Sequence, residues 1–172
     1  MKKYLYLVAI ALVSCGAVLS SCSDDKISGD SIFSTKAVER NAFDQWLYKN
    51  YTMPYNIDFQ YRLKTEETEQ AYNFVPADSA KTVKLAILTK YMWFDAYAET
   101  VGLDFIKENA PRIILVTGTP GYTRYRTEVI GSAEGGYKVR LGKVNALTDD
   151  QLKDYGSMNN YYFHTMHHEF MH

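Results

Sequence analysis

Nine residues, His164-Thr-Met-His-His-Glu-Phe-Met-His172, constrain this chain more than any other stretch. They contain His168-Glu169-Phe170-Met171-His172, the pattern H-E-x-x-H. On a helix, positions i and i+4 share a face, so His168 and His172 present two imidazoles to one ion. Imidazole pairs at this spacing point to Zn²⁺, and Glu169 projects beside the pair, where its carboxylate can act as general base on a water at the metal. All four histidines of the chain, His164, His167, His168 and His172, fall within these nine residues, which argues against chance. Phe170 and Met171 are uncharged and no proline interrupts, as a buried active-site helix requires. The competing reading is a histidine-rich amphipathic helix end that holds no metal. His164 lies one further i+4 step back, but the face drifts by about 40° per step, so a straight helix strains to bring all three rings to one tetrahedral ion. His167 is off that face and reads as a solvent-side residue or as one packed behind the ligands. Catalytic zinc takes three protein ligands plus water, and the third follows the motif downstream. The expectation is therefore a metallohydrolase domain that is incomplete at its C-terminus.

The opposite end of the chain reads as an export signal. Met1-Lys2-Lys3 is basic, Tyr4 to Leu19 carries no charge, and Leu19-Ser20-Ser21-Cys22 has the small-residue form of a lipoprotein cleavage site. A transmembrane anchor is disfavoured, because the apolar run is slightly short for a span and no basic flank follows it. Leu12 to Cys15 is a rival site, but cleavage there would leave Gly16-Ala-Val-Leu19 at the mature terminus. This predicts a signal peptide over 1–21, lipidation at Cys22, a flexible tether over 22–34 and one domain over 35–172. Loss of Cys15 with the signal leaves no thiol for a disulfide, so the exported domain depends on its core. The formal net charge of −1, with no Lys/Arg cluster, excludes a nucleic-acid partner.

Between these ends the fold is read from periodicity. Ser34 or Thr35 caps a predicted helix over 36–50 with an apolar stripe of Ala42, Phe43, Trp46 and Leu47. Alternation from Tyr55 to Leu63 predicts a half-buried strand, and Glu66, Glu67 and Glu69 a solvated turn. Asp78 or Ser79 opens the longest helix, 79–101, with Val83, Ala86, Ile87, Tyr91, Phe94, Ala98 and Val101 facing the core and Gly102 just past its end. A β-branched run over 112–117 predicts a buried strand, and 125–130 with 136–141 an antiparallel pair. Leu147 to Asp150 opens a short helix to about 155, Gly156-Ser157 breaks it, and the motif helix begins near Asn159. The fold class expected is α+β, a small, twisted, mainly antiparallel sheet packed on the long helix and the motif helix.

Several blocks are familiar: Trp46-Leu-Tyr-Lys-Asn-Tyr51, Pro54-Tyr55-Asn56-Ile57, Asn73-Phe-Val-Pro-Ala-Asp78, Gly135-Gly136 and Tyr162 through His172. With them the chain, from about residue 39 onward, resembles the substrate-import-associated zinc metallohydrolase lipoproteins, metallopeptidases tied to outer-membrane nutrient importers. The resemblance implies a zincin-like N-terminal subdomain, Zn²⁺ at His168 and His172, catalysis by Glu169, and importer components and a peptide or protein substrate as partners. Members of that family continue for a long C-terminal part beyond the motif. The acidic residues after Cys22 resemble the surface-export signal of some Gram-negative lipoproteins, which places the protein at the outer membrane, exposed at the cell surface. A non-catalytic ligand-binding lipoprotein, or an inactive fragment of the import apparatus, is the alternative. Fifteen tyrosines and two tryptophans could offer stacking platforms, although packing is the favoured reading of these rings.

Overall fold

A computed structural model describes residues 39–169, except 65, 67, 69 and 70. The expectations for the signal peptide, Cys22, the tether, Glu67, Glu69 and His172 lie outside the described residues.

Ile113-Ile-Leu-Val116 is apolar at every position and buried at every position. Such a run suits a strand covered on both faces, the setting of a parallel sheet. It forms β2 (Ile113–Val116), which lies between β1 (Asp58–Gln60) and β6 (Lys138–Leu141) and is parallel to both. β5 (Gly131–Glu134) pairs antiparallel with β6 and completes the order β1-β2-β6-β5. The expected mainly antiparallel sheet is therefore corrected, since two of its three pairings are parallel. The cause is connectivity, because parallel neighbours require long crossovers and this chain spends residues 61–112 on one of them.

The expected pairing of 125–130 with 136–141 is corrected as well. Gly135 and Gly136, at φ +53° and +72°, form a tight turn that seats 131–134 directly against 138–141. Gly131-Ser-Ala-Glu134 has no β-branched signal, so its strand was not legible. β4 (Glu128–Val129) instead joins β3 (Gly121–Tyr122) in a separate two-stranded ribbon.

Three long helical stretches supply the core, each interrupted by one π turn. α1 (42–55) contains Tyr48–Thr52, α2 (79–101) contains Lys90–Asp95, and α5 (155–169) contains Asn159–Phe163. Asn41 caps α1, accepting from the Asp44 backbone N–H at 2.7 Å, and Asn56 at φ +56° ends it. The stretch starts at 42 rather than 36, and the expected caps Ser34 and Thr35 lie outside the described residues. Tyr55 sits in the helix rather than in β1, yet the alternation read its side correctly, because Tyr55, Ile57, Phe59 and Tyr61 are all buried.

Asp78 caps α2 through the Lys81 N–H, and Gly102 ends it at φ +98°. Its buried stripe differs from the expected one. Thr82, Leu85, Ala86, Thr89, Trp93 and Phe94 face inward, while Ile87, Tyr91 and Val101 are exposed. Thr82 hides as a core residue because its hydroxyl donates to the Asp78 carbonyl at 2.7 Å and needs no water. α3 (Leu103–Asn109) follows, burying Ile106.

α4 (Asp149–Lys153) is capped by Thr148 with Gln151, and Asp154 ends it while capping α5. The break falls at Asp154 and not at Gly156-Ser157, so the motif helix begins earlier than expected. The helices cover one face of the sheet, where Leu47, Tyr51, Trp93, Phe94, Tyr162 and Met166 join Phe59, Ile114, Val116, Val139 and Leu141 in one cluster. On the other face lies the register row Gln60, Leu115, Arg140 and Ser132. The buried Arg140 guanidinium there sits 4.7 Å from the Phe74 ring centre. No helix among the described residues is long and apolar enough to cross a membrane.

Candidate metal centre

The motif helix is placed from its inner side. The Asp154 carboxylate accepts from the Ser157 N–H at 2.8 Å and fixes the start of α5. Tyr162 is fully buried, donates to the Gly142 carbonyl at 2.9 Å, and has its phenol pushed well up by that burial. Phe163 and Met166 fill the core beside it. On one flank, β5 comes so close that a Cβ on Gly131 would stand 2.8 Å from the Thr165 Cγ2. Only glycine permits that approach.

Among the described residues, these contacts leave one side of the helix exposed. His164 and His168 are exposed on it, with rings stacked 6.2 Å apart at 20° between planes. The structure thus brings together His164 and His168, the i,i+4 pair that falls within the described residues. Glu169 closes the described helix, and the expected partner His172 lies beyond it. His167 turns the other way. Its Nδ1 lies 3.2 Å from the Tyr97 hydroxyl, and the two rings are 5.5 Å apart. Tyr97 in turn stacks on Phe105 of α3 at 5.9 Å and 9°. Burial against this aromatic pair holds His167 below the ordinary imidazole value. Of the two places the sequence allowed His167, a solvent-side position is not the one observed, since the ring is half-buried against Tyr97. Tyr97 itself was not legible as a functional neighbour, because a lone tyrosine near a helix end carries no motif.

Exposed imidazoles on an open helix face suit a borderline ion such as Zn²⁺, so the donors present fit the metal the motif implies. Among the described residues no group of three or more His, Cys, Asp or Glu could hold a metal. A cleft of about 640 Å³ at the β1 edge is lined by Phe43, Tyr61, Arg62, Pro76 and Val83, and contains none of the histidines.

With this geometry in hand, comparison with known proteins gives a consistent result. Residues 36–172 match the family described as "Putative zinc-binding metallo-peptidase". The chain is similar, at 43% identity and a TM-score of 0.59, to a crystal structure of a protein from Bacteroides caccae ATCC 43185 titled as a putative zinc-binding metallo-peptidase. That match covers 82% of this chain and 52% of the other, so the chain spans about half the length of that protein. The comparison with curated proteins found no match. The matched family region covers well over half of the sequence, and the chain belongs to the zinc-binding metallo-peptidase family it describes.

Proposed function

We propose that this chain carries the metal-binding helix of a zinc-dependent peptidase, with His168 and His172 as ligands and Glu169 as general base. The observation that carries this is the two-sided motif helix, whose core side is locked by Tyr162, Phe163 and Met166 while His164 and His168 are exposed on the other. When bound, zinc supplies Lewis acidity toward a water and toward the scissile carbonyl. Glu169 takes the proton of the attacking water and delivers it to the leaving amine nitrogen as the C–N bond breaks. β5 supports a peptide substrate, since it is an edge strand of the sheet and lies against α5. An extended chain can add to such an edge through backbone hydrogen bonds.

The protein is exported through residues 1–21, anchored by lipid at Cys22 and displayed at the outer membrane beside components of a nutrient importer. These parts of the reading rest on the sequence and the resemblance. The test is zinc titration and peptide hydrolysis with Glu169→Gln. Stoichiometric zinc with hydrolysis abolished supports the assignment, and retained hydrolysis sinks it. The alternative, a non-catalytic ligand-binding lipoprotein, draws on Tyr91, Tyr122, Tyr125, Tyr137 and Tyr155, all more than half exposed. It predicts ligand binding that a chelator leaves unchanged.

A further inference from the structure

We propose that Tyr97 is a positioning residue for the metal site, acting through His167 to fix the rotation of the motif helix. The inference rests on the zinc reading above and concerns which imidazole meets the metal. From His164 onward α5 is regular, so successive side chains are about 100° apart around its axis. Taking His168 as the reference direction, His164 lies about 40° to one side. Thr165, against Gly131, lies about 60° to the other side, His167 about 100° away on the Tyr97 flank, and Met166 points almost directly backward into the core. The open histidine face is thus bracketed by two contacts, β5 on one flank and Tyr97 on the other.

The bracket answers a real ambiguity. His167 and His168 are adjacent, and one residue of helical phase separates them. The π turn at Asn159–Phe163, immediately upstream, is the kind of feature that sets such a phase, because one residue more or less in it turns everything downstream by about 100°. A turn of that size would offer His167 outward in place of His168, and the residue four positions after His167 is Met171, which is no imidazole. Met166 alone resists it poorly, since its flexible side chain adapts to small rotations. The Tyr97 hydroxyl holds the Nδ1 of His167, and Tyr97 is itself held by the stack on Phe105, so α2 and α3 together anchor His167 on the side away from the metal. Tyr97 thereby selects His168.

The test compares Tyr97→Phe, His167→Ala, His167→Asn and the double variant Tyr97→Phe/His167→Ala in the full chain. Zn²⁺ affinity is read by competition with a chromophoric chelator, and ligand geometry by the visible spectrum of the Co²⁺ form. Tyr97→Phe keeps both ring contacts and removes the hydroxyl. It should weaken zinc about tenfold and broaden the Co²⁺ bands, the scale seen when groups behind a metal ligand are lost. His167→Ala should match it, the double variant should lose no more than either, and His167→Asn, which places a polar atom near the old Nδ1, should restore most of the affinity. Unchanged affinity in Tyr97→Phe, or additive losses in the double variant, would overturn the proposal. Failure of the zinc reading itself is distinguishable, because the unsubstituted chain would then bind no zinc. A metal-free arm decides the lock in that case. Carbethoxylation mapped by mass spectrometry should find His167 slower than His164 and His168, and Tyr97→Phe should bring it up to their rate. An equally slow His167 in Tyr97→Phe would refute the lock without reference to metal.

Discussion

At the β1 edge of the sheet, the carboxylate of Asp44 accepts from Arg62 at 2.8 Å, from the Tyr61 hydroxyl at 2.8 Å and from the Asn41 backbone at 3.2 Å. Asn41 closes the ring by donating to the Tyr61 oxygen at 3.2 Å and capping α1. At the β5 edge, His164 and His168 stand exposed on α5, and their neighbour His167 lies against Tyr97 of α2. Both edges place polar side chains on a helix beside an edge strand, and they differ in where the hydrogen bonds go. A network that satisfies itself fixes a helix in place. Side chains exposed on a helix face away from the core can be reached by an ion from solvent, and metal ligands must be of that second kind.

The sharpest way to separate the two kinds of residue is to remove one that is purely structural at the β5 edge. Tyr162→Ala empties a fully buried site under the motif and should cost about 3–5 kcal/mol in denaturant unfolding. Its partner in the comparison is His168→Ala, which should leave the metal-free protein within about 0.5 kcal/mol of the parent. Zinc at one hundred times its dissociation constant should stabilise the parent by about 2.7 kcal/mol and the His168→Ala variant by almost nothing. A chelator should erase that difference. Thermal scans with and without zinc check both, and a large metal-free loss in His168→Ala would break the distinction between the edges.

The β1 edge should behave in the opposite way. Asn41→Ala removes the cap of α1 and should cost about 1 kcal/mol, with zinc affinity unaltered. A parallel change in zinc affinity, measured by chelator competition, would mean the two edges are coupled.

How much of this was legible beforehand follows from what each signal measures. α2 was readable to its ends because Asp78 and Gly102 are unambiguous start and stop residues. β2 was readable because four buried apolar residues in a row allow few alternatives. The sheet's direction was not, since apolar and polar alternation says which face a residue takes but not which strand lies beside it. β5 was missed because Gly131 is there for close approach to Thr165, and its backbone role leaves no side-chain pattern. The i+4 spacing did predict that His164 and His168 share a helix face, and their rings stack on it. Tyr97 became visible only when α2 and α5, seventy positions apart in sequence at this contact, were seen side by side.

The smallest effect expected is a difference in acid response, and it tests whether the β1 network is electrostatic as well as geometric. Burial pushes the Asp44 carboxyl up, but hydrogen bonds from Arg62, Tyr61 and Asn41 outweigh it and leave the group below the usual carboxylate range. A group whose pKa is lower in the folded chain than in the unfolded one binds fewer protons when folded. Its stabilisation is therefore present above the ordinary carboxylate value and fades as the pH falls through the lowered one. Asp44→Asn keeps the size and an acceptor oxygen but cannot titrate. The stability gap between the parent and Asp44→Asn should be steady from neutral pH down to about pH 5 and then shrink toward pH 2. Arg62 is largely solvent-exposed, so the gap should also narrow in high salt. Urea unfolding at a series of pH values reads the gap directly. A constant gap down to pH 2 would assign Asp44 a purely geometric role at the start of α1. Zinc affinity in Asp44→Asn should stay at the parent value, because its network ends at the β1 edge while the imidazoles stand at the other.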